Sequence, residues 1–196
     1  MPDDPEPAQL DAVPLFPLPQ VVLFPRALLP LHVFEFRYRV MTADALAGAR
    51  RIAMALLRPG WEKEYHGRPA IEPVVCVGRI LSSEQLPDGK YNLLLQGTMR
   101  AAIDREYTDR PYRYASLSPI RETSVLEIDL GPEREQLRKL FESRPMAGTD
   151  VARQFLSFLD GPMPTADVAD LAAFHLLQKL ALKQQVLADG DVRRRV

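Results

Sequence analysis

Eight prolines (Pro2, Pro5, Pro7, Pro14, Pro17, Pro19, Pro25 and Pro30) fall in the first thirty residues of a chain that holds 18 in 196. Proline fixes φ and carries no N–H, which bars it from helix interiors and from the centre of a β-ladder. The cluster divides in two. Pro2, Pro5 and Pro7 keep company with Asp3, Asp4, Glu6 and Asp11 and with no basic residue, which predicts a disordered acidic tail over residues 1–12. From Val13 the string Pro14-Leu-Phe-Pro-Leu-Pro-Gln-Val-Val-Leu-Phe-Pro is too rich in proline for a helix and too apolar for a solvated loop. It reads as short strands broken by turns or lying at sheet edges.

Beyond this opening the patterning alternates before it becomes helical. Residues 36–48 carry a helical stripe (Tyr38, Met41, Ala45, Leu46) with Gly48 as its stop, and a strand follows in Arg51–Leu57. Two long β-type runs, 73–86 and 91–107, flank Pro87-Asp88-Gly89-Lys90, a hairpin signal. With Tyr112–Ile120 the count reaches about six strands. After Leu130 come three helical stretches: one opened by Pro132, one capped by Thr149 or Asp150, and a long one from Thr165 to about residue 189. Strands first and helices afterwards predict an α+β chain, with a β lobe over 13–121 and a helical lobe over 122–196.

Composition narrows the function classes. Lys+Arg of 25 against Asp+Glu of 26 exclude a chain held on nucleic acid by bulk charge. The one cysteine, Cys76, sits in an apolar run and is read as a buried strand residue of a reducing compartment. No long apolar stretch suits a membrane span, and the acidic start is unlike a secretory signal; the expectation is a cytoplasmic protein.

Several of these strings resemble one family. Val13–Pro25, Leu29-Pro-Leu-His-Val-Phe-Glu and Arg37-Tyr-Arg resemble the opening of the Lon protease N-terminal domain family, the LON substrate-binding domain. Val77-Gly-Arg-Ile, Leu86-Pro-Asp-Gly-Lys-Tyr, Leu95-Gln-Gly-Thr-Met-Arg-Ala-Ala-Ile and Tyr112–Ala115 continue the likeness in order, as do Val168–Phe174 and Lys183–Leu187 near the end. Phe36 stands where these sequences usually have proline. The resemblance implies a PUA-like β pseudo-barrel followed by a C-terminal helical bundle, and a non-catalytic role in holding protein substrates or a protein partner.

Motifs for chemistry are missing. No phosphate-binding loop of the form G-x-x-x-x-G-K-[ST] and no G-x-S-x-G elbow occurs, and His32, His66 and His175 are far apart without ligand spacing. The chain is therefore read as a stand-alone binding domain without ATPase or peptidase modules, catalytic residues, metal or cofactor. His32 is expected to be a structural histidine among apolar neighbours. Candidate residues for gripping an extended apolar protein segment are Phe24, Phe34, Phe36, Trp61 and Tyr65, with core packing as the competing reading for Phe24 and Phe34 and packing on the β lobe for Trp61 and Tyr65. Two alternatives stand beside this. Arg100, Arg105, Arg113 and Tyr112 could form an RNA-binding face, since basic and aromatic residues interleave there. The helical lobe could instead dock on a protease or chaperone component. Arg193-Arg194-Arg195 are expected to be solvated charges at a helix end.

Overall fold

The computed structural model describes residues 10–64 and 67–196. Six strands, β1 (Leu10–Leu18), β2 (Leu28–Val33), β3 (Arg51–Leu56), β4 (Val74–Gln85), β5 (Tyr91–Tyr107) and β6 (Arg113–Pro119), form one mixed sheet in the order β2-β5-β4-β3-β1-β6. An added β5–β6 pairing closes β5, β4, β3, β1 and β6 into a ring, with β2 outside it. Helix α1 (Phe36–Ala47) follows β2, and α2 (Gly131–Glu142), α3 (Asp150–Asp160), α4 (Thr165–Leu176), α5 (Leu180–Ala188) and α6 (Val192–Arg195) come after the last strand. The chain is thus α+β, with α1 among the strands and α2 to α6 after the last of them. Among the described residues no helix is long and apolar enough to cross a membrane.

The prolines sit where the ladders permit them. β1 pairs with β6 over residues 10–15 and with β3 over residues 15–18. Pro14 therefore faces only β6 in register and Pro17 only β3, so neither has two ladders to serve. Strand β1 starts inside the expected tail. Leu10 is buried and opposes Leu117, because its apolar side chain joins a second core cluster, formed with Leu15, Val77 and Leu117 among others. The rest of the expected tail, residues 1–9, lies outside the described residues.

Ring closure depends on β5, which at 17 residues is long enough to change neighbours. One of its edges stays with β4 through residues 91–102, while the other carries β2 on 91–96 and β6 on 101–107. Gly97 stands at the changeover. A Cβ there would collide with the carbonyl of Phe24, and the turn at Arg26 (φ 66°) is pinned to it by Arg26 N–H to Gly97 O at 2.8 Å and Gly97 N–H to Ala27 O at 2.9 Å. The Pro-Asp-Gly hairpin forms as its composition suggests, with Gly89 at φ 78° and Lys90 N–H donating to Asp88 Oδ1 at 3.1 Å.

The helices share a core with the sheet. Ala173 and Leu187 belong to the same buried cluster as Phe24, Met54 and Leu95. A separate cluster joins α2, α3 and α4, centred on Phe141 and Phe155, stacked at 4.7 Å. Thr149 caps α3 by accepting from Ala152 N–H at 3.1 Å, and the Arg134 guanidinium closes its other end on the carbonyls of Phe158, Leu159 and Gly161.

Two expectations about this region need correction. The long helix near 165–189 is two helices, broken at residues 177–179 without glycine or proline. The break turns α5 onto β4, where Gln184 Nε2 donates to the Val74 carbonyl at 2.8 Å, while Lys183 Nζ caps the Phe174 carbonyl at 2.5 Å. Of the terminal arginines, Arg193 and Arg194 are exposed ion-pair partners, but Arg195 is buried. Together with Arg100 of β5 it surrounds Asp170 of α4, and Glu122 of the linker contacts both guanidiniums, Arg100 Nη1 at 2.6 Å and Arg195 Nη2 at 2.8 Å.

Candidate functional site

A cleft of about 730 Å³ opens where the end of β1, the start of α1, the segment after β3 and the β5–β6 turn converge. Pro17, Leu18, Leu57, Trp61, Pro69 and Pro111 give it an apolar lining, and Glu35, Arg37, Glu62 and Arg68 give it a charged rim. Its walls are tied together. Arg113 donates Nε and Nη2 to Glu106, each at 2.8 Å, and Nη1 to the Pro69 carbonyl at 2.6 Å. Arg68 donates to the Tyr107 and Thr108 carbonyls at 3.1 and 3.3 Å. At the back, buried Tyr112 donates to Asp44 Oδ2 at 2.6 Å and accepts from Arg110 at 2.7 Å; burial first, and then that bond to Asp44, raise its pKa above the usual phenol value.

Phe34 and Phe36 stand exposed on either side of Glu35, in the segment that forms one rim of this cleft. Phe34 is 59% and Phe36 71% exposed, large values for phenylalanine. α1 starts without the usual proline: Glu35 is extended (φ −66°, ψ 139°) and Phe36 takes the first helical position. Trp61 is half-buried in a single turn of 3₁₀ helix, packed on the second core cluster while also lining the cleft. Phe24 does not belong to the surface. Its side chain is fully buried because the turn over Gly97 drives it into the sheet–helix core, so the core reading holds there. Tyr65 and His66 lie outside the described residues. His32, expected among apolar neighbours, is exposed on the outer strand, its Nδ1 2.8 Å from Asn92 Oδ1 and its ring stacked on Phe34.

The basic face proposed for RNA does not assemble. Arg100 is buried and committed to Asp170, Glu122 and the Leu187 carbonyl; Tyr112 is buried; Arg113 is neutralised by Glu106. Arg105 alone of the four is exposed, lying over Tyr107 at 5.3 Å. Sequence reasoning missed these burials because the partners lie 22 and 70 residues away from Arg100. Cys76 is buried as expected, and that burial pushes its thiol up to about 12.

Comparison with known proteins gives a consistent picture. The profile of the ATP-dependent protease La (LON) substrate-binding domain matches residues 12–196. The chain is 28% identical to the Lon protease of Desulfovibrio desulfuricans over 190 residues, covering 92% of this chain and 21% of that protein. To the Lon protease of Escherichia coli it is 26% identical over 202 residues, covering 98% of this chain and 24% of that one. It thus spans less than a quarter of these relatives' length. A crystal structure described as a Lon N-terminal domain protein from Xanthomonas campestris superposes with a TM-score of 0.70 at 27% identity, covering 95% of each chain. The N-terminal domain of a Mycobacterium avium complex Lon protease shares the fold at a TM-score of 0.71 and 16% identity, covering 94% of each chain.

Proposed function

The chain belongs to the LON substrate-binding domain family, and we propose that it is a non-catalytic module that holds extended apolar segments of other proteins on the Phe34–Phe36 surface and in the adjoining cleft. The observation that carries this reading is the pair of exposed phenylalanines beside an apolar, proline-lined cleft with charged edges. Folding gains nothing from leaving such side chains in water, whereas a bound segment would cover them. Trp61 offers a further apolar surface within the cleft for a side chain of the bound segment. We assign the protein to the cytoplasm, where the free Cys76 stays reduced.

The affinity expected is modest. Fully burying a phenylalanine side chain yields about 1.5–3 kcal/mol, and Phe34 and Phe36, already partly covered, yield less than that each. Ordering costs take back part of whatever the cleft adds, which leaves binding at micromolar strength or weaker. Titrating the protein into a fluorescently labelled, permanently unfolded polypeptide and following anisotropy tests this. A saturable rise that Phe34→Ser plus Phe36→Ser weakens at least about tenfold is expected, since tenfold corresponds to about 1.4 kcal/mol. A flat trace up to about millimolar protein, or an unchanged midpoint in the double variant, would refute the assignment.

A further inference from the structure

We infer that β2 captures the backbone of its partner by strand addition: an uncharged, extended segment of a foreign polypeptide lies along the outer edge of β2 as one more strand of the sheet. This rests on the protein-binding reading above and adds to it how, and where, the main chain is held.

The register fixes which groups β2 has to offer. Gly97 N–H donates to Ala27 O, and the pairs Leu28↔Gln96 through Val33↔Tyr91 continue that register without a break. In an antiparallel pair alternate residues exchange hydrogen bonds with the neighbour, so Ala27, Leu29, Leu31 and Val33 face β5, and Leu28, Pro30 and His32 turn their backbone groups to the open side. β2 pairs with β5 alone, and among the described residues no hydrogen bond from another segment reaches those outward groups. The edge therefore offers two donors, the Leu28 and His32 N–H groups, and three acceptors, the Leu28, Pro30 and His32 carbonyls. Pro30 costs no bond to β5; what it removes is the middle donor of the edge.

Charge selects the occupant. Residues Leu28–Phe34 include no Asp, Glu, Lys or Arg, whereas protected sheet edges usually carry charge. The charges that bracket the edge are already paired, Arg26 with Asp167 at 3.1 Å and Glu35 with Arg37 at 3.1 Å. A charged side chain laid along β2 would meet no counter-ion; an apolar or hydroxyl-bearing one would meet Leu28, 47% exposed, at one end and Phe34 at the other. Six residues of β2 span about 20 Å, room for a segment of about six residues. The edge runs directly into the Phe34–Phe36 surface, so one extended chain can use both.

Alternate N-methylation of a peptide tests the inference. The probe is a labelled ten-residue peptide of alternating valine and threonine, prepared unmodified, methylated at the odd amides, and methylated at the even amides. Strand addition uses one set only, so one methylated form is expected to lose at least about tenfold in affinity while the other stays within about threefold of the unmodified peptide. Two protein variants with unchanged melting curves add a gain and a loss. Pro30→Val restores the missing donor and is expected to tighten binding by about three- to tenfold; His32→Pro removes an outward donor and is expected to weaken it by a similar factor. Equal affinities or equal losses for the two methylated peptides, or no change in either variant, would overturn strand addition while leaving protein binding intact. Failure of the unmodified peptide and of the unfolded polypeptide alike would instead overturn the protein-binding reading. A concentration-dependent dimer that competes with the peptide would contradict the foreign segment as occupant.

Discussion

Replacing Asp170 by alanine should break the joint between the helices and the sheet. The Asp170 side chain is 2% exposed and sits between two guanidiniums that are each 1% exposed, Arg100 from β5 and Arg195 from α6. Glu122, 40% exposed, is the remaining carboxylate of the cluster. With Asp170 in place two cations face two anions; without it two buried cations share one anion at the solvent edge. Removing one member of a buried ion pair costs about 3–5 kcal/mol, mostly because the partner stays buried and unpaired. Glu122 still neutralises one guanidinium, which places the expected loss at about 3–4 kcal/mol. For a chain of this length that lowers Tm by roughly 6–16 °C. Urea unfolding followed by far-ultraviolet circular dichroism measures it. Glu122→Gln serves as the internal control and should cost about 1 kcal/mol or less, since water screens a carboxylate so exposed. A loss below about 1 kcal/mol for Asp170→Ala, or one no larger than for Glu122→Gln, would refute the claim that Asp170 is the central counter-charge.

Two further outcomes follow from the packing. Gly97→Ala puts a methyl group into the Phe24 carbonyl and within 3.1 Å of Cys76 Sγ, and should destabilise the fold by about 3 kcal/mol or prevent it from forming, as read by yield and urea midpoint; a wild-type midpoint would show that the turn over Gly97 can move aside. Cys76, with its thiol pushed up to about 12 from a normal 9.0, should resist an aromatic disulfide reagent at pH 8 until urea unfolds the chain. Its contribution to stability is fully present below pH 9, where both states keep the proton, and is lost as pH rises from 9 towards 12, where only the unfolded thiol ionises; Cys76→Ser should remove that alkaline component, and rapid labelling of the native protein would contradict the burial.

Local chemistry explains how much of this could be read in advance. The missing N–H of Pro14 and Pro17 is a local fact and correctly limited each to a single ladder, but the turns expected between them do not form and both lie within one continuous β1; the Pro87-Asp88-Gly89 turn followed from the φ that Gly89 must adopt. The division of β5 between β2 and β6 was not legible, since it depends on how the Phe24 carbonyl crosses Gly97. The break after Leu176 carries no glycine or proline and is imposed by the fit of α5 on β4. Arg100 and Arg195 looked like surface charge because Asp170, which buries them, is distant in sequence from both. Of the candidate site, Phe34 and Phe36 were visible as apolar residues just beyond a proline-bearing strand, whereas the cleft beside them needs four separate segments to meet.

The central claim is that extended polypeptide is held along β2 and the Phe34–Phe36 surface. Backbone amide shifts of the isotope-labelled protein, recorded while unlabelled unfolded polypeptide is added, address it most directly. The account predicts that the largest changes fall on residues 28–38 and spread to Trp61, with α2 and α3 unmoved; changes centred on α2 and α3, or none at saturating polypeptide, would contradict it.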